Sequence, residues 1–406
     1  MPSATFQPRL ALGFVAFITA TAVATAADFR IEAGVIATSP REYYLTQSRG
    51  ALIPGNPSRV IITTQETEKT GAHGYRDLFS LESTDAGRTW TPPVRIDHLR
   101  RARMPEGHDF VMGDVCPQWH AATGRVLATG KTFGFRGGTT EDRALENVSY
   151  ATFNPTTGEW SRLNLLALPK TDHEGKPILE PNSGCHQRVD LPNGDILLPI
   201  RYRKDPKTRF YTTVVARCSF DGTTLTYREH GSELTIPRER GLYEPSVAAF
   251  QRRTFLTLRA DHSAFVARSI DGIRFEPFIE WKFDDGAVLG SYNTQQHWVT
   301  RHDALYVIYT RRGANNDHVM RHRAPLFIAR VDPEKLVAIR ASEQVLIPEA
   351  GGADLGNFGV MDFSPEETWV ITSESPPASK PAGPNRILLA RIVWDTPNRA
   401  FRSGRP

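Results

Sequence analysis

The chain has 406 residues, 40% hydrophobic and 23% charged, which is the balance of a soluble globular protein with an ample core. A formal net charge of +4 is too small to suggest a nucleic-acid partner. Length alone would fit two or three domains, but large β architectures often run as one.

The first segment is built for export. Met1 to Leu10 carries one positive charge, Arg9, and Ala11 to Val23 is apolar and made of small residues. Ala24-Thr25-Ala26 is a small-x-small cleavage site. Residues 1–27 therefore read as a secretory signal peptide rather than a membrane anchor, because the apolar run is short and rich in Ala and Thr. The expected location is secreted or periplasmic, with no membrane association after cleavage. Loss of Arg9 takes the charge from +4 to +3. Three cysteines remain, Cys116, Cys185 and Cys218; the odd number and the absence of any CxxC spacing predict buried, inert thiols.

From Asp28 onward the chain shows short apolar runs separated by Gly, Pro, Asn and Asp. Val60-Ile61-Ile62, Val126-Leu127-Ala128, Ile196-Leu197-Leu198, Leu305 to Tyr309 and Trp369-Val370-Ile371 are examples. Regular short strands with turn signals between them indicate an all-β sandwich, barrel or propeller. A weak repeat chooses among these. Ser83 to Trp90 fits S-x-D-x-G-x-x-W in full, and Ser219-Phe220-Asp221-Gly222, Ser269 to Phe275 and Asn154 to Trp160 are degenerate copies. Asp and Ser side chains can bond the turn's own N–H groups, Gly takes the left-handed position, and the aromatic tucks beneath. One copy per supersecondary unit of roughly 50–70 residues gives about six propeller blades, with about seven as the alternative. The propeller is expected over residues 28–397, with a loose tail at 398–406.

Gly241 to His262 reads as two strands joined by a tight turn. Glu244 opens the first strand and Arg259 closes the second, so both charges come out at one edge. They form either a structural ion pair or two walls of a pocket. Four other stretches mix acids, amides, imidazoles and aromatics: Asp114 to His120, Asn182 to Arg188, Ser291 to Trp298 and Asn315 to Arg323. Such mixtures bind sugars through hydroxyl contacts and ring faces, and His120, Gln296, His297 and His318 are the substrate-binding candidates they supply. His318 and His322 are spaced i, i+4, but no H-E-x-x-H accompanies them, so no metal or other cofactor is expected. Asn147-Val148-Ser149 fits a glycosylation acceptor.

The motif at Ser83 to Trp90 resembles the Asp-box of the sialidase superfamily. Glu244 and Arg259 resemble the glutamate and second arginine of sialidases. Ser48 to Pro54 resembles the first-blade arginine strand, without the usual R-I-P tripeptide, and His322 to Ala329 resembles the strand of the third arginine. The resemblance runs from about Arg49 to Glu374. It implies a six-bladed β-propeller of four-stranded antiparallel blades, with Arg49, Arg259 and Arg323 around one carboxylate-binding pocket. Several guanidinium forks suit a planar carboxylate, and none can be neutralised by deprotonation.

The chain also departs from that pattern. Sialidases attack with a tyrosine, expected here within Leu355 to Val360, yet no tyrosine follows Tyr309. Tyr243 or Tyr292 would have to substitute from another blade; Tyr292 is the candidate retained. The acid/base is Asp77 or His73, both before the Asp-box, and Glu244 is the base or an electrostatic stabiliser. The expected function is an exported, monomeric, sialidase-like glycoside hydrolase acting on acidic glycans. A polysaccharide lyase on uronic-acid chains and a non-catalytic glycan-binding propeller are the alternatives.

Overall fold

The computed structural model describes residues 28–39, 43–67, 74–103, 108–136, 140–142, 145–376, 383 and 385–402. Among them it is an all-β, six-bladed propeller, as the strand spacing predicts. Blade I holds strands Tyr44–Ile53, Arg59–Thr67, Tyr75–Ser83 and Val94–Arg95. Blade II is built on the long hairpin His108–His120 and Arg125–Arg136, followed by Val148–Asn154. Blade III runs through Leu179–Asn182, Ile196–Arg203, Tyr211–Phe220 and Leu225–His230, and blade IV through Tyr243–Phe250, Arg253–Arg259, Ala264–Ser269 and Ile279–Glu280. Blade V contains His297–Thr300, Leu305–Tyr309, Leu326–Asp332 and Val337–Ala338. Blade VI contains Phe358–Ser364, Glu367–Glu374 and Arg386–Trp394, and takes its outer strand, Phe29–Thr38, from the start of the described chain. Pairing Phe29 with Trp394 makes the start of the described chain the outer strand of the last blade and so closes the ring.

The core is divided by geometry into clusters between neighbouring blades. Leu45, Ile62 and Leu81 of blade I meet Trp369, Ile371 and Leu389 of blade VI. Phe255 of blade IV meets Trp298 and Val307 of blade V, over the buried Trp281. Fully burying side chains of this size contributes roughly 1.5–3 kcal/mol each.

The Asp-box turns secure these packings. Ser83 Oγ and Asp85 Oδ1 collect the N–H groups of Gly87, Arg88 and Thr89 at 2.9–3.0 Å. Gly87, at φ 73°, lies so close to Trp369 that a Cβ would come within 2.6 Å of that ring. The copy at Ser269 to Arg274 repeats the same bonds around Asp271. Both turns are structural, and they fasten each blade to the one before it. No helix among the described residues is long and apolar enough to cross a membrane. Asn398 is buried and bonded to Thr300 O and His302 N, so the chain beyond Pro397 starts out docked on blade V.

Candidate active site

Inner strands of a propeller converge on its axis, and here they share one irregularity. Gln47, Asp114 and Glu244 have φ of 60°, 54° and 44°, each at a bulge where the register of its strand slips. Cys185 (φ 56°), between the segments Leu179–Asn182 and Val189–Asp190 that both pair with Ile196–Arg203 in blade III, and Asn293 (φ 52°), ahead of the inner strand of blade V, repeat the conformation. A bulge breaks the in-out alternation and re-aims a side chain. Five blades thereby turn a polar residue toward the axis at the same end of the propeller.

Glu244 and Arg259 meet as the hairpin predicts: Arg259 Nη1 donates to Glu244 Oε2. Arg259 Nη2 donates to Asn293 Oδ1 at 2.6 Å, and Arg323 donates from Nη2 to Asn293 O at 2.8 Å and from Nη1 to Asp354 at 3.2 Å. Asn293 thus ties two predicted arginines together. Arg240 joins them by donating from Nη2 to Asn293 Oδ1 at 2.8 Å and is itself paired with Asp261, and Tyr243 packs its ring 4.7 Å from both the Arg240 and the Arg259 guanidinium. Exposed Arg321 (φ 55°) adds a fourth cation, close enough to Arg323, Arg259 and Arg240 for their charges to lower its pKa further after burial has done so.

Arg49 occupies a different setting, deeper on the axis and 2% exposed. Its donors go to Phe358 O (3.1 Å), Gln47 Oε1 (2.8 Å), the Gln47 and Val115 carbonyls (3.4 Å each) and Cys185 Sγ (3.2 Å). The Leu355 to Val360 segment, where a nucleophilic tyrosine was expected, instead forms a floor. Gly356 and Gly359 leave room for Arg323 and Arg49, and the Phe358 carbonyl accepts from Arg49, Gln295 and His297. Farther along the axis is a cavity of about 30 Å³, room for a water or two, lined by Arg49, Cys116, His186, Arg188 and His297.

Two carboxyls in this region are driven in opposite directions. Burial would raise Glu244, but Arg259 and then Arg323 outweigh it and hold the carboxylate below its usual range. Burial raises Asp114 above its usual range against the pull of Lys131 and Arg49, and the charge of Glu244 adds to the rise. Lys131 is itself fixed by Glu146 at 2.9 Å, which also holds Arg201 and Asn182. Burial pushes the thiols of Cys116 and Cys185 up, so both stay protonated; all three cysteines are free and buried, as expected.

The remaining predicted site residues lie elsewhere or are already engaged. Asp77 accepts from the Arg101 N–H at 2.8 Å and pairs with Arg95 at 3.2 Å, on the third strand of blade I. His73 lies outside the described residues. His120 closes the hairpin at the far end of its strand from Asp114, bonded to Thr123 and Gly194 O, so it is a turn residue rather than a sugar contact. Gln296 is fully buried and donates to Ser291 and Thr294. His297 is wedged between Ser246 Oγ (2.8 Å) and Phe358 O (3.2 Å); burial, helped by Arg49, takes its pKa down to about 3. These two hold the floor and present nothing to solvent. His318 is at the surface, 3.4 Å from Glu349.

Tyr292 is half-buried, adjacent to Asn293, with its hydroxyl 2.5 Å from His322 Nδ1; His322 Nε2 in turn lies 3.1 Å from Asp317. Tyr243 is the poorer tyrosine for chemistry, since burial pushes its phenol far above its ordinary value. Sequence reading missed Gln47, and took Asp114, Asn293 and Arg321 only as parts of polar clusters. The signal was thin: one Asn or Gln at the start of an inner strand, with nothing local to announce a bulge.

No family model matches the chain, and no curated protein matches it in sequence. Among solved structures it is similar to a protein of unknown function from Dyadobacter fermentans, at 15% identity and a TM-score of 0.64, over 90% of this chain and 99% of that one. It is similar to Trypanosoma rangeli sialidase, solved with 2,3-difluorosialic acid as a covalent intermediate, at 13% identity and a TM-score of 0.59, over 86% and 54% of the two chains. Hadza microbial sialidase Hz136 matches at 12% identity and a TM-score of 0.60, over 86% and 66%. The chain therefore spans about half to two thirds of these sialidases. The shared property is the propeller fold.

Proposed function

We propose that this propeller is an exported glycoside hydrolase acting on carboxylate-bearing glycans. The observation that carries the reading is the charge at the axial mouth. Glu244, Asp261 and Asp354 each pair with one of Arg259, Arg240 and Arg323, and Arg321 beside them is paired with no carboxylate among the described residues. One surplus guanidinium, flanked by two more, suits a ligand carboxylate held by forked hydrogen bonds. Arg259, Arg321 and Arg323 would grip it; Arg49, its donors already used by neutral acceptors, would shape the floor.

The opposed shifts of Asp114 and Glu244 suit acid and base roles. Asp114, kept protonated more readily than a free carboxyl, would deliver a proton to the leaving glycosidic oxygen. Glu244, kept ionised, would draw a proton from water as it attacks the anomeric carbon. That route inverts configuration and needs no tyrosine nucleophile. Asp114 takes the acid role here because Asp77 is already engaged within blade I. The resemblance of the fold to sialidases supports this reading; export and a monomeric state are part of the proposal.

One observation favours a second reading. Tyr292, His322 and Asp317 form a hydrogen-bonded chain beside the arginines, able to remove an α-proton from a uronic acid whose carboxylate those arginines neutralise. That would be a lyase. The purified protein incubated with sialosides and with uronic-acid oligosaccharides, followed by proton NMR, separates these. A free acidic sugar appearing first as the inverted anomer is the expected result. A new vinyl proton assigns the lyase, and ligand broadening without product leaves a binding module.

A further inference from the structure

Blade III carries a second cluster of chemistry-bearing side chains, distinct from the axial site. It lies where strand Ile196–Arg203 ends, strand Leu225–His230 ends, and the connection before Leu179 passes between them. His173 on that connection, His230 and Glu233 bring one donor atom each within 4.8 Å of one another. We propose that His173 Nδ1, His230 Nε2 and Glu233 Oε1 bind one transition-metal cation, zinc by the character of the donors, and that the ion clips the connection to the blade.

Four observations support this site. The first is spacing. His230 Nε2 is 3.1 Å and His173 Nδ1 is 3.7 Å from Glu233 Oε1. Ligands around a tetrahedral zinc, with bonds of about 2.0–2.2 Å, lie roughly 3.4 Å apart. The second is support for the ligands. Tyr227 OH is 2.7 Å from His230 Nδ1, so it can accept that N–H and leave Nε2 free to ligate. Glu233 is fixed by the His173 N–H at 2.8 Å and by Lys204 Nζ at 2.7 Å.

Charge is the third. Asp172, Glu174 and Glu233 surround a single ammonium, Lys204, at 3.0, 3.1 and 2.7 Å, and the Asp172 side chain is fully buried. Three carboxylates against one cation leave two negative charges, which a divalent ion balances. Lys204 fills the all-oxygen side of the cluster, where calcium or magnesium would sit, and leaves the side with two nitrogens. The fourth is access. His230 is 5% exposed and fixed, whereas His173 is exposed and stacked on it, ring centroids 4.1 Å apart and 4° from parallel. His173 can turn its Nδ1 toward the incoming ion, leaving a fourth position to water. None of these residues takes part in the proposed hydrolysis, so the two readings stand or fall separately.

The test is titration of the untagged full-length protein with zinc chloride by calorimetry, paired with Co²⁺ absorption. One ion per chain is expected, with the intense visible bands of tetrahedral Co²⁺. H173A, a change at an exposed side chain, should weaken zinc binding at least tenfold and erase the bands. Y227F should weaken it about tenfold while circular dichroism shows the fold intact. Calcium chloride at the same concentrations should give no saturable heat. Zinc binding that is absent, or equal in wild type and H173A, would overturn the proposal.

Discussion

Two arginine settings at the propeller axis make an instructive contrast. Arg49 is enclosed, and its donors are consumed by carbonyls, an amide and a thiol. Arg259 and Arg323 face carboxylates and share Asn293, with Arg321 in surplus at the mouth. Identical side chains thus serve two ends. A guanidinium satisfied by neutral acceptors organises a core, and one held by exchangeable charges, beside a neighbour with no carboxylate partner among the described residues, can receive an anion. Residue type does not separate the cases; the partners do.

The contrast can be broken most sharply at Glu244. E244Q is expected to lower kcat on an acidic glycoside by about 10²- to 10⁴-fold with circular dichroism unchanged; near-normal turnover would move the chemistry away from the arginine mouth. R49M should act on stability instead, costing about 3–5 kcal/mol in urea unfolding, because it strips a charge partner from buried Asp114 and donors from the Gln47 and Phe358 acceptors. An R49M enzyme of normal stability but raised KM would merge the two settings into one clamp.

R321A should raise KM with little change in kcat, by the roughly 1.5–3 kcal/mol of a charge-assisted contact, and should flatten the salt dependence of binding. Next comes a pH effect from the enclosed setting. His297 is held at about 3 in the folded protein against 6.5 for a free histidine. Between those values the unfolded chain takes up a proton and the native state does not. Stability is therefore complete above pH 6.5 and falls with acidification, by at most about 1.4 kcal/mol per pH unit. Thermal melts from pH 7 to pH 4 should show that slope, and H297N should reduce it. The smallest effect is expected for D77N, under about 1 kcal/mol with turnover unchanged, since Asp77 loses only its charge pairing with the exposed Arg95 and Arg100 while an asparagine Oδ1 still accepts from the Arg101 N–H. A large loss of activity in D77N would restore Asp77 as the acid.

The fold and part of the mouth were legible in the sequence for local reasons. The Asp-box turn at Ser83 bonds to its own N–H groups, so its residues suffice to announce it. The Glu244–Arg259 pairing follows from a hairpin, where strand start and strand end must be neighbours. His120 misled because a histidine beside a tryptophan looks the same whether it faces a sugar or caps a turn. The missing tyrosine was read correctly as absent, but the carbonyl and glycines that stand in that segment have no sequence signature of their purpose.

Sequence alone determined the alternating short strands and the repeated turns, because each depends on contacts within a few residues; the count of six blades was only approximate there and is fixed by ring closure, Phe29 to Trp394. Tertiary structure alone decided that Asn293 would join Arg259 to Arg323, that Arg49 would be enclosed while Arg321 stayed exposed, and that Asp114 and Glu244 would be driven apart in pKa. Those outcomes depend on bulges that re-aim single side chains and on six inner strands meeting at one axis. Residues more than a hundred positions apart become neighbours there, and charge and burial, which no local pattern records, set what each of them can do.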